Sequence, residues 1–327
     1  MTFDEFACEW DSDIPTIEAR TSGSTGIPKR ILLSKAFVAR SARATNAFFS
    51  LSEGSRFHSC VAADFIGGKM MFVRAALAKG IFSCETPSNR PLSGLSSADV
   101  IDLLAVVPSQ MIHILRHVEN MPEIRNIIIG GSAIHPDLRH EIAKSGLLCY
   151  ETYGMTETAS HIALRRVTHD VDLPFRIIGN LHIAKDEREC LVIEYPEGER
   201  IVTNDLVRLV SSDSFLITGR VDDVIVTGGK KLNPCEVEAV LSAEAGCEVV
   251  VSSVPDIRWG EKAVAVMPEA CKLTEEEIRK TLFSVGFEPW MCPKEIVRVA
   301  AFPHTRNGKI DRPALRRRLP ELLQSKS

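Results

Sequence analysis

The sequence predicts an α/β protein in two domains. A large N-terminal domain with a mostly parallel sheet, helices and a small β layer precedes a smaller α+β domain. Three observations carry that reading. The length of 327 residues corresponds to about two domains at roughly 150 residues each. Strand and helix patterns alternate over the first two-thirds of the chain, as a parallel sheet requires. From about residue 188 the pattern turns to short strands, and from about residue 223 to capped helices set between strands.

Taken in order, SSADVIDLLAVVPSQMIHILRHVEN reads as two helices broken at Pro108. Residues 125 to 154 form the clearest unit: RNIIIGG is a short apolar strand, HPDLRHEIAKSG a helix with Pro136 in its first turn and Gly146 as its stop, and LLCYETYG the next strand. ECLVIEYP, RIVTNDLVRLV and SFLITGR then read as strands of a small antiparallel or barrel-like layer. VDDVIVTGGKKLNP is strand-like and split by a Gly-Gly turn. A helix follows with Asn233 as N-cap, Pro234 at its first position and Glu236 three residues on from the cap. Thr274 with Glu277 opens another helix, and CEVVVSSV, KAVAVM and EIVRVAAF supply the strands between and after. The basic run at 316–318 is most simply a solvated helix face, and no repeat or low-complexity tract interrupts the chain.

Hydrophobic residues make up 45% and charged residues 25%, which excludes disordered, collagenous and coiled-coil classes. The net charge of −4 gives no support to broad nucleic-acid or anionic-membrane binding. MTFDEFACEWDSD is acidic where a secretion signal would be basic, and no apolar run approaches the roughly 20 residues of a membrane span. A soluble cytoplasmic protein without stable membrane insertion is expected. The nine cysteines are scattered through apolar stretches with no C-x-x-C pair, so buried reduced thiols are expected; a disulfide framework or zinc site would need clustering that the spacing lacks.

TSGSTGIPK, residues 21–29, packs hydroxyls and glycines ahead of a lysine. Glycines let several N–H groups converge, hydroxyls add donors and Lys29 neutralises charge, so the composition suits a polyphosphate. It fits neither a Walker A loop nor a G-x-S-x-G elbow, and a flexible surface linker would satisfy the same letters. YGMTETAS, residues 153–160, follows a strand: an aromatic there can cover a purine, a Thr can touch phosphate and a Glu can hold Mg²⁺, while a purely structural turn is the equal alternative. Asp205 in TNDLVRL can take two ribose hydroxyls, though a lone Asp is usually a turn residue. Lys309 lies in the Asn-Gly turn of PHTRNGKIDRPALR, where a lysine is normally only solvated.

These stretches, together with GRVDD and in this order, resemble the adenylate-forming superfamily of acyl- and aryl-CoA ligases, luciferases and nonribosomal-peptide adenylation domains. TSGSTGIPK matches its phosphate loop, YGMTE its adenine and magnesium motif, TND its usual T-G-D, GRVDD its hinge and NGK its catalytic-lysine loop. The match spans residues 21 to 312. Within the superfamily the chain is most similar to the o-succinylbenzoate-CoA ligases of menaquinone biosynthesis, through VTNDLVRL, VTGGKKLNPCEVE, ADFIGGKMMFVR and YGMTETASHIALRR. Relatives place a sizeable subdomain before the phosphate loop, so the resemblance implies that most of that N-terminal part is absent. Because the chain opens with Met1, a naturally short protein is expected, with one wall of the site left open or supplied by a homodimer partner. Asp64 stands near where many relatives carry a His beside the acyl pocket.

The resemblance implies an ATP-dependent acid-CoA ligase whose partners are a small carboxylic acid, ATP and CoA, with Mg²⁺ as cofactor. It implies that Thr21, Ser22, Gly23, Ser24, Thr25, Gly26 and Lys29 hold phosphates, that Tyr153 and Gly154 flank adenine, and that Thr156 touches phosphate. Glu157 would ligate the metal, Asp205 and Arg220 the ribose, and Gly130, Gly131 and Ser132 would line the meeting point of nucleotide and acid. Lys309 would bridge carboxylate and ribose during adenylation. Asp222 would be the hinge between an AMP-binding domain of residues 1–220 and a mobile lid of residues 221–327, and Gly228–Gly229 would line the CoA channel. For the acid itself, Lys69 and Arg74 are cations in an apolar helical stretch, as a second carboxylate would want; the plainer reading has both reaching out to solvent. Ser160 and His161 are further pocket candidates.

Overall fold

The computed structural model describes residues 1–20, 29–170, 172–305 and 310–324. The chain forms two compact units, one of residues 1–183, 193–201 and 209–216, the other of residues 184–192, 202–208 and 217–327. Among the described residues no helix is long and apolar enough to cross a membrane.

The first unit carries helices α1 (Phe3–Asp11), α2 (Lys35–Phe48), α3 (Ile66–Ala78), α4 (Pro108–His117) and α5 (Pro136–Lys144). Its strands run in the order Ile81–Cys84, Arg56–Ser59, Leu103–Val106, Ile127–Ile129, Cys149–Met155, Ser160–Arg166 and Phe175–Ile177. The first five are mutually parallel. The remaining joins are antiparallel, and Phe215 pairs with Phe175 beyond them. Leu103–Val106 and Ile127–Ile129 are buried at every position, as strands covered on both faces must be. Leu104, Val106, Ile127 and Ile129 pack with Met111 and Ile114 of α4 and Ile142 of α5. Leu103, Ala105 and Ile128 point the other way, onto Met71 and Ala75 of α3.

One expected element is corrected by this arrangement. The segment before Pro108 is a central strand instead of a helix. A run of four consecutive apolar residues carries no period of its own, and burial between two helical layers decides it. Pro108 instead starts α4, where its missing N–H costs nothing, and the Gln110 side chain accepts from the Val107 N–H at 3.0 Å. Helix α5 follows its pattern: Pro136 opens it, the His135 ring caps Asp137 N–H, and Gly146 takes a positive φ just beyond it.

The second unit is a mixed sheet with helices α6 (Pro234–Ala245), α7 (Glu275–Ser284) and α8 (Arg312–Gln324). Lys230–Leu232, Ile225–Thr227, Gly260–Pro268 and Val250–Asp256 are neighbours in that order, and Glu295–Val299 joins Gly260–Pro268 in parallel. Strict alternation sorts the faces: Ala263, Ala265 and Met267 meet α6 and α7, while Val264 and Val266 meet Leu315 and Leu319 of α8. Thr274 and Glu277 close the expected capping box on α7. At α6 the Asn233 side chain caps Cys235 N–H and bonds the Glu236 carboxylate at 3.2 Å, a related but different closure. Gly228 and Gly229 both have positive φ and turn the hairpin between Ile225–Thr227 and Lys230–Leu232, with a Cβ on Gly228 reaching 3.1 Å from the Trp259 ring.

Candidate active site

In the first unit, the chain leaves the carboxyl ends of adjacent parallel strands at Gly130–Gly131–Ser132 and at Tyr153–Gly154–Met155. A 3₁₀ turn, Thr156–Thr158, follows, and Ala159 and Ser160 both adopt positive φ before the chain returns antiparallel. Gly154 is demanded by that return, since a Cβ would sit 2.2 Å from the Ser160 carbonyl oxygen. The Thr158 hydroxyl pins the turn, accepting from Met155 N–H and donating to Ser160 O at 2.6 Å. Glu157 is exposed at its tip. Tyr153 is only 8% exposed, edge-on to Phe215 at 5.0 Å and beside Phe175. The ring is packed, so the open positions of the motif are Gly154 and Glu157.

The Thr156 hydroxyl lies 3.5 Å from the carbonyl of Arg20. Arg20 ends the strand Thr16–Arg20, which pairs antiparallel with Arg30–Ser34 in a register that sets Arg20 opposite Arg30. Thr156 therefore lies beside the Arg20 end of this strand pair. Thr21, Ser22, Gly23, Ser24, Thr25 and Gly26 lie outside the described residues, and Lys29 is exposed.

Beneath the turn, Glu151 is buried and accepts from Arg139 of α5 and from Arg165 at 2.6 and 3.1 Å. Arg165 also lies over the Phe175 ring. Sequence reading missed this cluster because its members stand 12 and 14 residues apart with no motif around them.

Helix α3 corrects the expectation that its cations reach solvent. Lys69 is 3% exposed; its ammonium donates to the Glu18 carbonyl at 2.8 Å, pairs with Glu9 at 3.3 Å and lies over the Phe6 ring. It is fully used in holding α1 and the Thr16–Arg20 strand against α3. Arg74, 1% exposed, is in the opposite condition. Its contacts are Met71 Sδ at 3.6 Å and His161 Nδ1 at 3.4 Å, its Nε has no partner, and no carboxylate pairs with it among the described residues. Burial pushes its guanidinium down to about 9, and burial with that cation beside it drives His161 well below the ordinary imidazole range. His161 is therefore neutral, and its Nε2 meets Thr45 Oγ1 at 2.9 Å. Ser160 contributes its backbone carbonyl to the Thr158 turn. Asp64, just before α3, is exposed and pairs with the N-terminal amine.

The second unit brings three further candidates together. Arg220 donates to Asp205 at 2.5 Å and to Asp222 at 3.1 Å, and Asn204 holds both Asp222 oxygens at 3.1 Å. Arg188 extends the chain of contacts through Asn204. Asn204 stands where a glycine is usual in the resembling family, and its amide supplies an anchor for Asp222 that glycine lacks. Asp222 itself is exposed in the 3₁₀ turn Val221–Asp223. Gly228 and Gly229 are exposed, and Lys309 lies outside the described residues.

A mixed sheet whose parallel strands end in a Gly-Gly-Ser segment and a Thr-Glu turn, together with an α+β unit, fits a nucleotide-using α/β enzyme. The chain belongs to the AMP-binding enzymes, the adenylate-forming ligases: that family model matches residues 19–199, and the AMP-binding enzyme C-terminal domain matches residues 236–309. The chain is 25% identical over 338 residues to a 2-succinylbenzoate-CoA ligase of Listeria monocytogenes serotype 4b, covering 94% of this chain and 71% of the relative. It is 28% identical over 331 residues to a probable 2-succinylbenzoate-CoA ligase of Mycobacterium tuberculosis, covering 94% and 85%. Among solved structures, an acyl-CoA synthetase (AMP-forming)/AMP-acid ligase II-like protein from Dyadobacter fermentans superposes with a TM-score of 0.62 at 29% identity, covering 97% of this chain and 93% of that one. The expected superfamily and fold class are borne out.

Proposed function

We propose that the protein is an ATP-dependent acid-CoA ligase acting on o-succinylbenzoate. The observation that carries the substrate reading is Arg74, a buried guanidinium with no anion among the described residues. A fixed cation without a counter-charge is costly, and a substrate bearing a second carboxylate would supply what is missing. The names carried by the relatives agree with that chemistry.

In this reading one carboxylate of the substrate attacks the α-phosphorus of ATP, and the bond to pyrophosphate breaks. The CoA sulfur then attacks the acyl carbon and AMP leaves. Both steps are positioning and charge neutralisation. The 21–26 loop and Lys29 hold the β- and γ-phosphates, Gly154 lies beside adenine with the Tyr153 ring packed behind it, and Thr156 touches phosphate. Gly131 and Ser132 flank the reacting centre. Asp205 and Arg220 take the ribose, and Lys309 bridges the carboxylate and the ribose oxygen. Glu157 fits a magnesium ligand, being an exposed hard-oxygen donor with no hydrogen bond or ion pair to a described residue. Mg²⁺ bound there would offset charge on the pyrophosphate. The lid of residues 221–327 turns about Asp222 between the two steps, bringing Gly228–Gly229 to the CoA channel.

The test is incubation with o-succinylbenzoate, ATP, Mg²⁺ and CoA, read by mass spectrometry beside a Lys309→Ala control. A CoA ester of the expected mass that disappears in the control supports substrate and lysine role together. AMP release with other acids only would keep the ligase and discard this acid; no adenylate with any acid would leave a nucleotide-binding module without catalysis. Two variants probe the second unit. Asp205→Ala is expected to raise the KM for ATP about tenfold or more, as loss of charged hydrogen bonds of roughly 1.5–3 kcal/mol predicts; an unchanged KM would remove Asp205 from the ribose. Asp222→Pro is expected to spare one half-reaction, measured as pyrophosphate exchange or as thioester formation from synthetic acyl-adenylate, and to cripple the other. Two intact half-reactions would end the hinge assignment.

A further inference from the structure

The cysteine spacing argues against a zinc site, but the parallel sheet assembles a ligand set that spacing hides. His58 is paired in register with Ser83 on the neighbouring strand, so the residues that follow, Cys60 and Glu85, leave the sheet side by side. The His58 nitrogens, Cys60 Sγ and the Glu85 carboxylate offer one ligand atom each, all within 4.8 Å of one another. Tetrahedral zinc with bonds of about 2.0–2.3 Å sets ligand atoms roughly 3.3–3.6 Å apart. His58 Nε2 already stands 3.8 Å from Glu85 Oε2, and the Glu85 side chain is partly exposed and able to close the remainder.

The hydrogen bonds around His58 are compatible with the tautomer that metal binding needs. The Ser83 hydroxyl lies 2.8 Å from His58 Nδ1 and 3.3 Å from the Phe57 carbonyl. With the hydroxyl proton on that carbonyl, Nδ1 carries the ring proton and Nε2 offers its lone pair to a metal. The ring is 2% exposed, and Nε2 is buried with no hydrogen-bond partner, aimed at a carboxylate. Two acceptors facing each other inside a protein call for a cation or a proton between them. The second donor is equally fixed. Cys60 N–H bonds the Ala105 carbonyl at 3.1 Å, and the Cys60 carbonyl accepts from Gln110 at 3.0 Å. Glu85 is held by the Leu92 N–H, at 2.9 and 3.2 Å to its two oxygens. Burial, first among the causes, holds His58 below the ordinary imidazole range, and burial with the adjacent Glu85 carboxylate pushes the Cys60 thiol up.

We propose that His58 Nε2, Cys60 Sγ and the Glu85 carboxylate bind one divalent transition cation of the zinc class, with water in the fourth position. Binding breaks the Cys60 S–H bond, forms the sulfur–metal bond and releases the proton to solvent. A thiolate and an imidazole select such a cation over Mg²⁺, so this site is separate in chemistry from that of Glu157. The Nδ1–Ser83 contact is the outer partner that orients the metal-binding imidazole.

The full chain, stripped with chelator, is titrated with Co²⁺ and then Zn²⁺. One equivalent of Co²⁺ is expected to give a thiolate-to-cobalt charge-transfer band in the near ultraviolet, displaced by Zn²⁺. Cys60→Ser is expected to abolish the band. Glu85→Gln, which keeps an acceptor for Leu92 N–H, is expected to keep the band and weaken binding about tenfold or more. If Cys60→Ser does not fold, His58→Gln beside Glu85→Gln carries the same comparison. No stoichiometric uptake by the native chain, a band that survives in Cys60→Ser, or undiminished affinity in both Glu85→Gln and His58→Gln overturns the site.

Discussion

Arg74→Met is expected to make the protein more stable and nearly inactive towards o-succinylbenzoate. The guanidinium is buried on α3 with a 3.4 Å contact to His161 and no counter-charge among the described residues. Replacing buried charge with an apolar side chain of similar volume is commonly neutral or stabilising by about 1–4 kcal/mol. Against this, His161 Nδ1 loses a donor, at about 1 kcal/mol. Net stabilisation of about 0–3 kcal/mol follows. Activity moves the other way. If Arg74 pairs with the substrate as proposed, a substrate carboxylate deprived of it loses about 10²-fold or more in kcat/KM, as breaking a buried charged pair does. The pH dependence has a definite sign. The folded-state pKa, about 9, lies below the ordinary arginine value, so above about pH 9 the unfolded chain holds a proton that the folded chain does not. Native stability therefore rises through that range relative to the variant, and the gap between them narrows. Urea titrations of both proteins at pH 7.5 and 9.5, with CoA-ester kinetics alongside, decide the matter. A variant less stable at both pH values, or one with unchanged KM and turnover, would falsify the assignment of Arg74.

The same helix shows where sequence reading stops. Lys69 and Arg74 are visible as cations in an apolar stretch, but only packing decides what each does. Lys69 meets α1 and a strand carbonyl, whose positions depend on residues about 50 to 60 away in sequence. Arg74 meets His161, 87 residues on. Local signals gave correct elements where they were chemically specific: Pro136 and Gly146 bound α5, Thr274 with Glu277 caps α7, and two glycines turn the hairpin after Thr227. They failed at Leu103–Val106, where four apolar residues read equally well as helix or strand. The motifs that carry the family resemblance were legible because each is a contiguous string. The surroundings of Arg74 and the His58–Cys60–Glu85 cluster were not, because helix packing and strand register bring those residues together.

Glu151→Ala is expected to cost about 3–5 kcal/mol, the largest stability loss among these variants. Glu151 is the only acidic partner of two guanidinium groups among the described residues, from Arg139 on α5 and Arg165 on the neighbouring strand. Arg139 already has one nitrogen without a partner, so it has little other means of offsetting its burial. Removing the carboxylate leaves two cations facing each other, and breaking a buried pair is costly because of the charge left behind. Replacing all three residues with Met removes that charge, so the triple variant is expected to recover much of the loss, to within about 2 kcal/mol of native. Additive losses across the set would show instead that each residue acts through its own packing. The strand that carries Glu151 also carries Tyr153 and Gly154, two and three residues on. Residual folded Glu151→Ala is therefore expected to show a raised KM for ATP as well as a lower unfolding midpoint, and the triple variant to restore both. Recovery of the midpoint without recovery of KM would separate the cluster's structural work from the placement of the nucleotide turn.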